Sequence, residues 1–126
     1  MKTNDETHSQ IILVNWIKRI LGKDIWKATH HSPNGGVRGI VEASQFKLMG
    51  VRPGFPDLVT YIKNEKYNGL VVELKVKKRK PTQDQLWWLQ TLRNCGFKVY
   101  YCNGVKDAQN VYLQYFKSRT IKRNFK

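Results

Sequence analysis

Three residues of this chain have the types and spacing to work on a phosphodiester. Asp57 follows Pro56, and sixteen residues later Glu73 and Lys75 flank Leu74. The run Leu70-Val71-Val72-Glu73-Leu74-Lys75-Val76 is apolar enough for a buried strand, yet it holds two charges. Side chains alternate across a strand, so Glu73 and Lys75 share one face and Leu74 takes the other. Charges in a buried strand are costly unless they are paired or bind metal. The plain structural alternative is an ion pair on one strand face.

Phosphodiester hydrolysis needs a nucleophilic water, charge neutralisation on the phosphate and help for the leaving alkoxide. Mg²⁺ or Mn²⁺ can supply all three. Such hard cations prefer oxygen ligands and keep several waters. Asp57 and Glu73 are suitable ligands, and the Leu74 carbonyl could be a third. Lys75 is then placed to position the attacking water or stabilise the pentavalent phosphate. Glu6 could reach the metal or its waters from the first helix, with Asp5 as a near alternative. Gln85 could hydrogen-bond the lysine, the water or a phosphate oxygen.

These residues need elements to hold them. Glu6 to Leu21 reads as a helix in which Glu6, Gln10, Leu13, Ile17 and Ile20 share a face. Glu6 and Gln10 thus sit at one end of the apolar stripe, as functional groups or as its wet end. Gly22 stops the helix, and Ile25 to His30 reads as a strand. Ser32-Pro33-Asn34-Gly35-Gly36 is a turn. Ala43 to Met49 suits a short helix closed by Gly50. Val51 to Pro56, with two prolines, is an irregular loop. Leu58–Lys63 and Leu70–Lys77 are strands joined by the turn Asn64 to Gly69. Thr82 caps a helix running to about Cys95, with Gln85, Leu89 and Leu92 facing inward. Phe97 to Cys102 is a strand, and Asp107 to Phe116 a last helix. The expected fold is one α/β domain over residues 1–116, with a small mixed central sheet flanked by helices. Residues 117–126 form a mobile basic tail.

With a formal net charge of +14, the chain calls for a polyanionic partner, nucleic acid first. Five basic residues fall between Lys75 and Lys80 and five more between Lys117 and Lys126. The first cluster abuts the candidate site. No apolar run is long enough to span a bilayer, and no signal-peptide core follows Met1, so an intracellular protein without membrane association is expected. Cys95 and Cys102 fit neither a zinc spacing nor a disulfide framework and read as reduced thiols.

The ordered set of motifs resembles the PD-(D/E)xK nuclease superfamily and, within it, the VRR-NUC (virus-type replication-repair nuclease) domain. It comprises Glu6 and Gln10, Asn34 to Arg38, Gly50 to Leu58, Val72 to Lys75, Pro81 to Leu89 and Gly96 to Val99. The resemblance spans about Glu6 to Phe116 and implies a restriction-endonuclease-like core. It also implies a metal-dependent nuclease with Asp57 and Glu73 as ligands, Lys75 as the catalytic lysine, and Glu6 and Gln85 in accessory positions. Stand-alone members of this size resemble homodimers that cut branched, four-way DNA junctions, the viral or phage type. Dimerisation suits paired cuts on opposite strands. In-line attack would leave 5′-phosphate and 3′-hydroxyl ends.

The DNA-facing set expected here is Asn34, Arg38, Arg52, Lys77, Lys78, Arg79 and Lys80. Asn34 and Arg38 are equally readable as turn chemistry and a surface cation. Trp87 and Trp88 are divided between core packing and a dimer interface in preference to base stacking. His30 and His31 are left out of the catalytic set. The competing functions are a less selective nuclease or nickase and a basic DNA-binding module without catalysis. The absence of an evident sequence-reading helix disfavours base-specific restriction.

Overall fold

The computed structural model describes residues 4–32 and 39–117. Among them are five helices, four strands and one π-helical turn. Helix α1 (Asn4–Trp16) runs into the π turn Ile17–Leu21, then α2 (Lys23–Lys27) and β1 (Thr29–His31). After α3 (Ile40–Leu48) come β2 (Leu58–Thr60), β3 (Leu70–Lys75), α4 (Gln83–Asn94), β4 (Lys98–Asn103) and α5 (Val105–Tyr115). The sheet order is β1-β2-β3-β4, antiparallel across the first two pairs and parallel across the last. A parallel pair needs a crossover, and α4 supplies it.

The alternation of β3 assigns its two faces to different partners. Leu70, Val72 and Leu74 enter the larger core with Leu13, Ile17, Ile25, Val111, Tyr112 and Phe116 from the helices of that side. Val71 joins Val59, Val99 and Leu89 of α4 in the smaller core on the other face. Glu73 and Lys75 follow Val71 on the α4 side and mark where that apolar face gives way to polar chemistry.

Three sequence expectations are corrected. Ile25–His30 is not one strand: α2 takes Lys23–Lys27, and only Thr29–His31 is extended. Gly22, at φ 99°, resets the chain direction, and Ile25 is buried as a helical residue. Ile25 packs in the larger core with Trp26 against it, and Lys18 lies 4.9 Å over the Trp26 ring, so tertiary contacts override the β preference of Ile-Trp. Ile20 also leaves the apolar stripe and is exposed. The π turn, closed by Gly22 N–H donating to the Ile17 carbonyl at 3.1 Å, shifts the inward phase, and Leu21 packs against the core instead. β2 ends at Thr60 rather than Lys63, since Thr60 faces the first residue of both neighbours, Thr29 of β1 and Leu70 of β3. The turn and cation positions Asn34 and Arg38, and the tail beyond Lys117, lie outside the described residues.

A chain of hydroxyls joins the sheet to the helices. Thr29 Oγ1 donates to the Ile25 carbonyl (2.7 Å), which commits its one proton. Thr60 Oγ1 therefore donates to Thr29 (2.8 Å) and accepts from Tyr112 (3.2 Å). Thr60 is thus buried at no cost in unmet hydrogen bonds.

Burial pushes the Tyr112 phenol up, the Tyr115 phenol up to about 12 and the Cys102 thiol up to about 12. These groups keep their protons in the folded state where the unfolded chain, with ordinary values of 9.0 and 10.0, loses them. The linked stability is fully present below pH 9 and is lost as pH rises from there towards 12. A urea midpoint that falls steadily above pH 9 is expected, and a flat profile would contradict it. Cys95 is exposed and Cys102 buried, so a thiol reagent at pH 8 should modify one cysteine in the native protein and both in urea.

Candidate active site

The loop before β2 and the end of β3 are bound together by their own acidic side chains. Asp57 Oδ2 accepts from the Leu74 backbone N–H at 2.9 Å. Glu73 Oε1 accepts from the Asp57 backbone N–H at 3.1 Å. Each carboxylate thus holds the backbone beside the other, and both are more than nine-tenths buried. This cross-link orients both groups without exhausting their acceptor capacity, since each carboxylate oxygen has two lone pairs.

Lys75 lies 3.3 Å from Glu73 Oε2 and 3.6 Å from Glu6 Oε2. Glu6 is fully buried, and its Oε1 accepts from Arg79 at 3.0 Å. Helix α1 therefore delivers Glu6 to the C-terminal end of β3, as the stripe from Glu6 to Ile17 demands. Asp5 points elsewhere, to an exposed pair with Lys77 at 3.0 Å, so Glu6 is the acidic side chain brought to Lys75. Gln85 reaches in from α4. Its Oε1 accepts from the Thr82 N–H (2.9 Å), its own N–H donates to Thr82 Oγ1 (3.2 Å), and its Nε2 donates to Glu73 Oε2 (3.2 Å). One residue thus completes the capping box of α4 and clamps Glu73.

Two residues at the site lie outside the set read from the sequence, which leaves His31 out and does not single out Tyr101. His31 Nδ1 lies 2.9 Å from the Asp57 carbonyl oxygen and 2.7 Å from the Gln10 amide nitrogen. Its position follows from the β1–β2 register, His31 opposite Leu58, which a linear reading does not contain. Tyr101 stands in register with Glu73 across the parallel pair. Its hydroxyl donates to the Arg79 carbonyl. Burial, then the negative fields of Glu73 and Glu6, push this phenol up, so it holds its proton further into alkaline solution than a free tyrosine. With Asn103 Oδ1 accepting from the Lys78 N–H at 3.2 Å, Tyr101 pins the basic loop after β3. In that loop Lys77 and Lys78 adopt φ of 58° and 53°. Lys77, Lys78 and Lys80 are exposed, whereas the Arg79 guanidinium is turned onto Glu6. Arg52 is exposed on the loop before Asp57.

Among the described residues, no three His, Cys, Asp or Glu side chains gather closely enough to enclose a metal ion. The donor set on offer is two adjacent buried carboxylates with the backbone between Glu73 and Lys75. That chemistry suits a hard divalent cation that retains several waters rather than a fully protein-ligated one.

An α/β core with a mixed sheet, an Asp at the entry to one strand and a Glu-x-Lys at the exit of the next defines a nuclease of the PD-(D/E)xK type. The chain belongs to the VRR-NUC domain family, which matches residues 2–106. A solved structure described as a "VRR_NUC domain protein" is similar to it over 93% of this chain and 92% of the other, with 32% identity and a TM-score of 0.76. No curated protein matches it. No helix among the described residues is long and apolar enough to cross a membrane.

Proposed function

We propose that the protein is a divalent-metal-dependent DNA endonuclease, selective for branched DNA and acting as a homodimer. The observation that carries the reading is the cross-link of Asp57 and Glu73 with Lys75 held 3.3 Å from Glu73. It turns an otherwise expensive buried charge cluster into an ordered site. Asp57, Glu73 and the Leu74 carbonyl would hold Mg²⁺ or Mn²⁺. When bound, the ion supplies Lewis acidity and water activation.

The remaining steps fall to the chain's own groups. Lys75, steered by Glu6 and Glu73, presents its ammonium protons to the attacking water or to a phosphate oxygen. Gln85 keeps Glu73 in one rotamer. Arg79 neutralises Glu6, so that Lys75 stays available to the substrate. In-line attack by water leaves a 5′-phosphate and a 3′-hydroxyl. Lys77, Lys78 and Lys80 neutralise backbone phosphates near the cut and position the DNA without reading its sequence. Asn34, Arg38 and Arg52 belong to the same proposed DNA-facing set.

The test is cleavage of a labelled four-way junction beside matched linear duplex, single strand and flap, with Mg²⁺, Mn²⁺ or EDTA. Paired symmetric cuts confined to the junction support the full reading. Cuts in every substrate would replace it with a general nuclease, and binding without cuts with a non-catalytic module.

The exposed lysines permit a separate prediction. Replacing Lys77, Lys78 and Lys80 together by Gln should lower affinity for all DNA substrates alike. It should also make the slope of log K against log salt shallower by about 2–3, at roughly 0.9 per lost phosphate contact. Arg79 is left in place because it pairs with Glu6. An unchanged slope, measured by fluorescence anisotropy in EDTA, would move the DNA surface elsewhere.

A further inference from the structure

Between the loop before Asp57 and helix α4 the surface opens a pocket of ≈ 360 Å³, lined by Arg52, Pro53, Asp84, Trp87 and Trp88. Its walls come from the two segments that hold the active site, the loop before Asp57 and the first turns of α4. These segments touch directly at Gly54, where an added Cβ would lie 2.6 Å from Asp84 Cβ. Gln85, which clamps Glu73, sits between Asp84 and Trp87 on the same helix.

The aromatic residues here are built rather than loose. Phe55 packs edge-on against Trp88 at 4.9 Å, and Trp88 packs perpendicular to Trp87 at 5.0 Å. Trp88 is half-buried, but Trp87 remains 58% exposed. The ladder thus fixes an indole at the surface beside a cation and a carboxylate.

We propose that this pocket takes an unpaired nucleobase of the DNA substrate, stacked on Trp87. The proposal rests on the nuclease reading above and adds a source of structure selectivity to it. The charge pattern distinguishes a base from backbone. A carboxylate accepts hydrogen bonds and donates none, so Asp84 repels phosphate but suits the amino and imino donors on a base edge. Arg52 is the complementary group for the phosphate attached to that base. An indole face stacks on any base, and only a base outside the duplex stack can reach it. Opened junction centres, flaps and single strands offer such bases, and continuous duplex does not.

The test uses the full chain in EDTA, so that binding is read without cleavage. Wild type, Trp87→Ala and Trp87→Phe are titrated with a mixed-sequence single strand, the same strand with its central nucleotides abasic, and a blunt duplex. Tryptophan fluorescence and anisotropy are the readouts. The wild type should show quenching by the single strand, lost with the abasic strand. Trp87→Ala should bind the single strand about 10-fold more weakly, the scale of one lost base–aromatic stack, with duplex affinity unchanged. Trp87→Phe should recover most of the difference.

Equal weakening towards duplex and single strand, or quenching that survives the abasic strand, would overturn the proposal. So would a sedimentation profile that shifts from dimer to monomer in Trp87→Ala without a base-dependent change, which would make the pocket a contact between copies. A parallel cleavage assay with Mg²⁺ separates the two readings. Base-dependent quenching without cleavage would remove the nuclease and keep the pocket, and cleavage with binding indifferent to Trp87 would do the reverse.

Discussion

Asp57→Asn is expected to slow DNA cleavage on the order of 10³-fold or more while leaving metal-free DNA affinity within about a factor of two. The size corresponds to about 4 kcal/mol of lost transition-state stabilisation, typical of one key electrostatic group in a site. Asparagine has nearly the same shape, and its carbonyl oxygen can still accept from the Leu74 N–H, the bond that Asp57 makes at 2.9 Å. What it lacks is the negative charge that would hold a dication. Loss of activity with an unchanged melting curve would therefore report chemistry rather than misfolding.

Glu73→Gln is a less clean variant. Glu73 accepts from the Asp57 N–H on one oxygen and from Gln85 on the other, with Lys75 alongside. An amide NH₂ would oppose a donor on either side. Asp57→Asn measured by single-turnover cleavage is accordingly the decisive variant. Activity within tenfold of wild type would remove Asp57 from the metal-holding role.

Gly54→Ala is expected to destabilise the fold by about 2–4 kcal/mol. The sum joins about 1 kcal/mol for a positive-φ backbone and 1–3 for overpacking. Gly54 has φ 79°, and an added methyl group would lie 2.6 Å from Asp84 Cβ, 2.7 Å from the Asp84 carbonyl carbon and 2.8 Å from the Gln85 nitrogen. Two of these three neighbours are backbone in the capped first turn of α4, so they cannot rotate away. Relief would require parting the Asp57 loop from α4, which moves Gln85 away from Glu73.

A fall in melting temperature of roughly 10 °C, at about 4 °C per kcal/mol for a domain of this size, should accompany reduced cleavage by the folded fraction. Gly50→Ala is the control. Its φ is 99°, but an added Cβ there meets nothing within 4 Å. It should show only the backbone penalty of about 1 kcal/mol. If the two variants melt together in calorimetry, the close approach of loop and helix is not what holds the site.

Much of this arrangement was legible because local physics expressed it in linear form. The alternation of β3 put Glu73 and Lys75 on one face, and both reach the same pocket of charge. The spacing of Glu6, Gln10, Leu13 and Ile17 put Glu6 and Gln10 on the apolar stripe but left open whether they are its wet end; both are buried with the core residues of their helix. Thr82 is the expected cap, and the structure adds Gln85 as its partner in a capping box. The stripe misled only at Ile20, where a π turn breaks the 3.6-residue period on which it depends.

The sequence by itself determined the α/β class, the charge pattern and the residue types of the candidate site, because periodicity, capping and turn chemistry act between near neighbours. Only the tertiary structure decided that Asp57 and Glu73 bind each other's backbone, that Arg79 turns onto Glu6, and that His31 and Tyr101 join the site. Those relations are set by strand register and by the crossover of α4. Register is decided where distant segments bury one apolar face together, and no local pattern along the chain encodes which distant partner that will be.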